Sequence, residues 1–267
     1  MSAPRKILVL DTGNEWGGGT NSLFELLKRI DRARFAPTCC FYNDYRQGAQ
    51  GRLLSEELAA LDVPLILLPT ARQPWSAKLA KELSRALLFW APGWRRRRVR
   101  AIDTRWRIRP RGAALAEVLR AGGFDLLYMN NQPSTNLEGY LAARAVGVPV
   151  VQHCRVNPRL AADEARLVNG VVRRIICVSQ ATADALQRDG VDRRLLTVVH
   201  NGIDAHSSLP AAVALQPPPP GPVIGTVGRL TPLKSVAHLL QAVAALHDSA
   251  QPVTCLIIGE GPQRNEL

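Results

Sequence analysis

The sequence predicts an α/β protein built on a parallel, doubly wound sheet, followed by the first part of a second unit of the same kind. Three observations carry this. Short β-rich apolar runs alternate with segments of helical period along the 267 residues, the pattern of a sheet covered on both faces. Glycines stand where strands stop and where helices end, as at Gly122-Gly123, Gly147 and Gly190. A stiff connector, Gln216-Pro217-Pro218-Pro219-Pro220-Gly221-Pro222, sets the last strand–helix–strand apart from the rest. The organisation expected is an amino-terminal Rossmann-like domain over 1–205, a proline-rich linker over 206–221 and an incomplete carboxyl-terminal domain over 222–267.

Ile7–Leu10 is the first strand, cut short by Asp11. A loop through Gly17, Gly18 and Gly19 follows, and Thr20 is the expected cap of a helix bearing Leu23, Leu26, Leu27 and Ile30 on one face. Glycines between a strand and a helix let backbone come close to a ligand and turn N–H groups outward; a mobile turn is the plainer alternative. Ala36–Tyr42, Val63–Leu68, Phe124–Met129, Val148–Gln152, Arg174–Val178 and Leu196–Val199 read as further strands. Helices are expected at Leu53–Leu61, Leu137–Val146, Leu160–Val168 and Ala181–Arg188.

The late unit runs from Val223–Val227 through a loop holding Arg229 and Lys234, a helix with Leu239, Leu240, Val243 and Leu246, and a strand over Pro252–Ile258. Its loop lies at the carboxyl end of its first strand, where open parallel sheets bind ligands. Two cations beside a helix amino terminus suit a phosphate or diphosphate; two ordinary surface cations are the alternative. Some 45 residues of βαβ cannot bury both faces of a sheet alone, so either the chain was cut short or a partner completes it.

Nothing approaches the ~18 apolar residues of a membrane span. Five cysteines (Cys39, Cys40, Cys154, Cys177, Cys255) show no CxxC spacing, and four lie in apolar strand-like runs. They read as buried, reduced thiols of a cytosolic protein. Charge is unevenly spread. Between Arg95 and Arg111 nine arginines face one acid, Asp103, a local +8 of the chain's +12. Just before this run, Ala77–Trp90 places Leu79, Leu83, Ala86, Leu87 and Trp90 on one helical face and Lys78, Lys81, Glu82 and Arg85 on the other. Trp90, Trp94, Arg95, Arg96, Arg97, Arg98 and Trp106 together suit an anionic membrane surface. Nucleic acid is a rival without any RNP, zinc-finger or helix-turn-helix pattern to support it. A solvated basic loop is the third reading.

The sequence has no GxSxG elbow, no HExxH, no P-loop, no GxGxxG and no Asp-x-Asp pair, so hydrolase, zinc, dinucleotide and metal-held diphosphate chemistry are disfavoured. No metal or cofactor is expected. A diphosphate leaving here needs arginine, lysine and helix amino termini to stabilise it. His153 closes Val148-Pro-Val-Val-Gln-His153 at the ligand-binding edge of the sheet, where an imidazole can hydrogen-bond a sugar hydroxyl or a developing charge. A structural histidine is the alternative.

Six motifs, in order, resemble the family 4 glycosyltransferases. They are Gly17-Gly18-Gly19 after the first strand, Val148–His153, Ile176-Cys-Val-Ser179 with Ala181-Thr-Ala183, Val198-Val-His-Asn201-Gly-Ile-Asp204, Val227-Gly-Arg229-Leu230 with Lys234, and Ile257-Ile-Gly259-Glu-Gly261-Pro262. The resemblance runs from about residue 5 to the end and is poorest in the basic segment. It implies the GT-B fold, with the acceptor on the amino-terminal domain and a nucleotide-sugar donor on the carboxyl-terminal one. It implies that Arg229 and Lys234 neutralise the donor diphosphate without a metal, that Gly17–Gly19 lie near phosphates and acceptor, and that His153 lies near the transferred sugar. It further implies transfer with retention to a glycan or lipid-linked acceptor, in envelope polysaccharide or glycolipid synthesis, by a cytoplasmic protein on the inner membrane face.

Two departures qualify it. Ser235 stands where the family has glycine, a minor departure, since serine can cap the following helix. Leu267 precedes the Glu-x7-Glu region that holds donor sugar and ribose in the family, so the chain is expected to be a fragment, weak or inactive alone. A sugar-nucleotide epimerase of the same fold and a non-catalytic membrane- or partner-binding remnant are the competing readings.

Overall fold

A computed structural model of the chain describes residues 3–48, 51–69, 73–202, 211, 221–249 and 253–267. The chain forms two compact units, Met1–Ile203 and Asp204–Leu267. Apart from Ala211 and Gly221, the connector expected over 206–221 lies outside the described residues.

In the first unit β1 (Arg5–Leu10), α1 (Gly18–Arg29), β2 (Phe35–Phe41), α2 (Leu54–Ala60) and β3 (Leu65–Leu67) lead into a long crossover. The crossover is α3 (Trp75–Leu87), α4 (Pro92–Asp103), a π-helical turn (Thr104–Ile108) and α5 (Arg109–Gly122). Then come β4 (Leu126–Met129), α6 (Leu137–Val146), β5 (Val150–Cys154), α7 (Ala162–Val171), β6 (Val172–Cys177), α8 (Gln180–Arg188) and β7 (Leu196–Val198). The seven strands are parallel in the order β3-β2-β1-β4-β5-β6-β7. Strand order reverses between β1 and β4, which makes their carboxyl ends the ligand-binding edge of the sheet.

Both faces of the sheet are covered, as the continuous apolar strands require. Along β1 the pleat sends Ile7 and Val9 to a core with Leu23, Leu27 and Leu58, and Leu8 and Leu10 to a core with Leu115, Leu127 and Tyr140. Gly123 and Gly147 close α5 and α6 in the left-handed conformation, at φ 59° and 81°, as the sequence predicts. All five cysteines are free and lie in strands.

Four expectations change. Gly18 and Gly19 are already helical, and α1 starts from an extended Gly17. Thr20 is therefore inside the helix, buried, with its hydroxyl 3.3 Å from the Tyr45 hydroxyl rather than on a cap. The arginine-rich run is helical, not a loop: arginine is among the better helix formers, and Pro92 is well placed in a first turn. α3 is also turned over relative to the usual rule. It docks through Ala77 and Ser84, and Lys81 of its polar stripe makes a 2.5 Å ion pair with Asp103 of α4. The apolar stripe faces out, with Leu79 and Leu83 each 49% exposed and Trp90 72%.

The second unit pairs β8 (Val223–Val227) with β9 (Thr254–Ile258) in parallel through α9 (Val236–Asp248), with a 3-10 turn at Pro232–Lys234. The fourth change lies here. Ser235 adopts φ 52° and makes no side-chain cap; its hydroxyl donates to the Pro232 carbonyl at 3.4 Å.

Candidate functional site

The ends of β1, β4 and β5 are held in register, with Leu10 opposite Met129 and Met129 opposite Gln152. The residues just beyond them therefore meet. Asp11, buried, accepts the Gly13 N–H at 2.7 Å and the Asn130 side-chain amide at 2.6 Å. The same amide reaches the Gly19 carbonyl at 3.3 Å. Arg155 donates to the Asn130 carbonyl and side-chain oxygen at 2.7 and 2.6 Å and to the Ser22 hydroxyl at 3.2 Å. One network thus joins the start of α1, which carries the three glycines, to the end of β5, which carries His153.

His153 Nδ1 lies 2.6 Å from the Tyr128 hydroxyl and 3.1 Å from Arg155 Nη2. A guanidinium only donates, and burial pushes the Tyr128 phenol up to about 12, so it too keeps its proton. Nδ1 is therefore the acceptor and Nε2 bears the hydrogen. Burial, helped by the Arg155 charge, lowers the His153 pKa to about 4, leaving the ring neutral at pH 7. Nε2 is buried without a hydrogen-bond partner among the described residues. The neutral imidazole thus keeps one N–H donor that no described residue satisfies.

A Cβ built on Gly17, Gly18 or Gly19 meets no atom within 4 Å. None of the three has a positive φ. Neither internal packing nor backbone conformation demands glycine there, which leaves room for something outside the chain to approach closely.

Beside this network a cavity of about 490 Å³ opens between the loops after β1 and β4, lined by Thr12, Asn14, Asn131, Tyr42, Arg111 and Glu138 among others. Glu138 is 1% exposed. It accepts from the Tyr42 hydroxyl at 3.1 Å and lies 4.0 Å from Arg111, whose guanidinium sits 4.3 Å over the Tyr42 ring. Polar groups on a rigid floor of this kind suit a hydroxyl-rich ligand.

In the second unit Arg229 and Lys234 share the loop between β8 and α9, and both are exposed. That loop is tied to the one after β9: Gly228 and Leu230 N–H groups donate to the Ile258 and Glu260 carbonyls at 3.0 and 2.9 Å. A Cβ at Gly259 or Gly261 would collide with the Gly228 or Leu230 carbonyl, so those glycines are demanded by packing.

Of the residues expected from sequence, Gly17–Gly19 and His153 come together in the first unit, and Arg229 and Lys234 come together in the second. Trp90, Trp94, Arg95–Arg98 and Trp106 lie on the crossover helices and the segments joining them. Sequence reasoning missed Arg155, Tyr128, Asn130 and the Tyr42–Arg111–Glu138 cluster. Arg155 had a visible signal, since it is two residues from His153 along an extended run and so points the same way. Tyr128 and Glu138 had none, because only the strand order brings them in. Among the described residues no group of three or more His, Cys, Asp or Glu could hold a metal, and no helix is long and apolar enough to cross a membrane.

Comparison with known proteins bears on the family and the fold. The sequence profile of Glycosyltransferase Family 4 matches residues 16–207. A 2-deoxystreptamine glucosyltransferase of Streptomyces kanamyceticus is 33% identical over 184 residues, 58% of this chain and 48% of the relative. The structure of Anabaena Alr3699/HepE in complex with UDP and glucose superposes with a TM-score of 0.62 at 20% identity, over 98% of this chain and 63% of that one. A glycosyltransferase from Rickettsia africae gives 0.62 at 15% identity, over 97% and 61%. These likenesses show the fold. The chain spans about half the length of the curated relative it matches.

Proposed function

The chain belongs to Glycosyltransferase Family 4, and from that premise we propose that it serves the transfer of a sugar from a nucleotide-sugar donor to a hydroxyl-bearing acceptor, with retention and without a metal. The observation that carries the reading is the neutral His153, with Nδ1 committed to Tyr128 and Arg155 and a buried Nε2–H at the ligand-binding edge of the sheet. A buried donor that the chain itself leaves unsatisfied suits a hydrogen bond to an oxygen of the ligand. Anabaena HepE, solved with UDP and with UDP-glucose, supports a nucleoside-diphosphate sugar as donor.

In the proposed reaction the bond between the anomeric carbon and the diphosphate oxygen breaks with its electron pair going to the diphosphate. The acceptor oxygen bonds that carbon, and its proton passes to the leaving diphosphate. Arg229 and Lys234 neutralise the charge that develops, Gly17–Gly19 allow close approach, and the polar cavity at Tyr42, Arg111 and Glu138 receives the acceptor, a glycan or lipid-linked glycan. The outward apolar stripe of α3, with the arginines after it, supports work at an anionic membrane surface.

Titration calorimetry with UDP- and GDP-sugars tests this. Saturable heat with one class is expected, and Arg229→Ala or Lys234→Ala should each weaken binding by roughly tenfold or more, about 1.5–3 kcal/mol for a hydrogen bond to a charged group. No heat at millimolar ligand would favour the non-catalytic remnant. A product that is an epimerised nucleotide-sugar rather than a glycoside would replace the transfer reading with the epimerase one.

A further inference from the structure

The crossover builds a second groove, of about 1080 Å³, between α4, the π turn and the start of α7. Six arginines line it, Arg96, Arg97, Arg100, Arg105, Arg109 and Arg166, with Asp163 as the one acid in the lining. That acid is occupied: Arg100 donates to Asp163 at 2.9 Å and pairs with Glu164 at 3.0 Å. Among the described residues the other five arginines have no carboxylate partner.

The clustering is a product of helix geometry. Gly93, Arg97, Ala101, Arg105 and Arg109 line the groove at every fourth position. At 3.6 residues per turn such a series drifts about 40° per step and would leave the wall within four steps. The π turn at Thr104–Ile108 holds extra residue per turn and offsets part of the drift, and wide turns of this kind concentrate at functional sites. Keeping Arg105 and Arg109 together costs a few tenths of a kcal/mol in like-charge repulsion, and as exposed side chains they contribute no core packing in return.

Guanidinium groups match phosphate oxygens in pairs, and a ligand of charge −2 or more is what several unpaired guanidinium groups around one groove favour. We propose that this groove is a binding site for a phosphomonoester or diphosphate group, built from residues other than Arg229 and Lys234. It stands whether or not the chain transfers sugar. The group can come from solution or from a lipid headgroup.

The experiment uses the chain carrying Arg229→Ala and Lys234→Ala, which removes the other proposed phosphate site. Calorimetry with inorganic diphosphate is run beside flotation on phosphatidylcholine vesicles containing phosphatidic acid or phosphatidylglycerol, matched in surface charge. Saturable diphosphate binding that falls at least tenfold in Arg105→Gln/Arg109→Gln/Arg166→Gln supports a site for soluble phosphate esters. A several-fold preference for phosphatidic acid that the same triple variant loses supports a headgroup site. The proposal is overturned if the folded triple variant changes neither reading. It is equally overturned if Arg173→Gln/Arg188→Gln/Arg193→Gln, exposed arginines elsewhere in the first unit, reduces both as much.

Discussion

At His153 one ring nitrogen is committed and the other is not, and the commitment has a measurable consequence. Burial first and the Arg155 charge second hold the folded pKa at about 4, against an ordinary value near 6.5. Between pH 6.5 and 4 the unfolded chain binds a proton that the folded one refuses, so stability falls as pH drops through that window and is flat above it. Urea titrations should show the native protein losing up to roughly 3 kcal/mol more than His153→Gln over that range; equal losses would remove the buried neutral imidazole. Arg155→Met takes away the second cause, and the NMR-observed pKa of His153 should then rise from about 4 towards 6.5 without reaching it. The residue itself was legible as a polar side chain ending an apolar strand. Its protonation was not, because Tyr128 comes from the neighbouring strand, 25 positions away.

Secondary structure was legible where the residues within one segment decide it. Strand and helix order in the first unit follows the hydrophobic period, and Gly123 and Gly147 stop their helices because the left-handed conformation costs glycine nothing. Ser235 shows the limit. Its spacing suggested a cap, yet its backbone at φ 52° is the conformation that disfavours a Cβ by 1–2 kcal/mol. Ser235→Gly should therefore stabilise the second unit by about 1 kcal/mol, read as a higher urea midpoint at unchanged slope. No gain would mean that the extra backbone freedom of glycine in the unfolded chain offsets the relief. In α3 the period correctly separated two faces but could not say which one docks. The Lys81–Asp103 ion pair and the small Ala77 and Ser84 turn the polar side inward.

Over the whole molecule the net charge of +12 is concentrated on the crossover, beside an apolar stripe that is open to solvent. Charge of this kind acts over about 8–10 Å at physiological salt, while the stripe acts only on contact. Flotation should show binding to vesicles containing phosphatidylglycerol, weakening as salt rises, and much less binding to pure phosphatidylcholine. Replacing Arg95–Arg98 by alanine should weaken it severalfold, and Leu83→Ser/Leu87→Ser should weaken it with under about 1 kcal/mol change in stability, since both leucines are exposed. Equal binding to both vesicles, or none lost in the variants, would exclude a membrane role for the crossover.

By itself the sequence determined the α/β class, the alternation of elements, the family and the three glycines and one histidine at the sheet edge. These depend on residues close together in the chain: apolar period, turn chemistry and short ordered motifs. Only the tertiary structure decided which nitrogen of His153 is free, that Arg155 and Asn130 bind the glycine-bearing helix to β5, that α3 shows its apolar face, and that five arginines without carboxylate partners among the described residues share one groove. Each of those depends on pairings between segments brought together by strand order and helix packing. The local pattern is silent on them because the partners' separation in sequence carries no period.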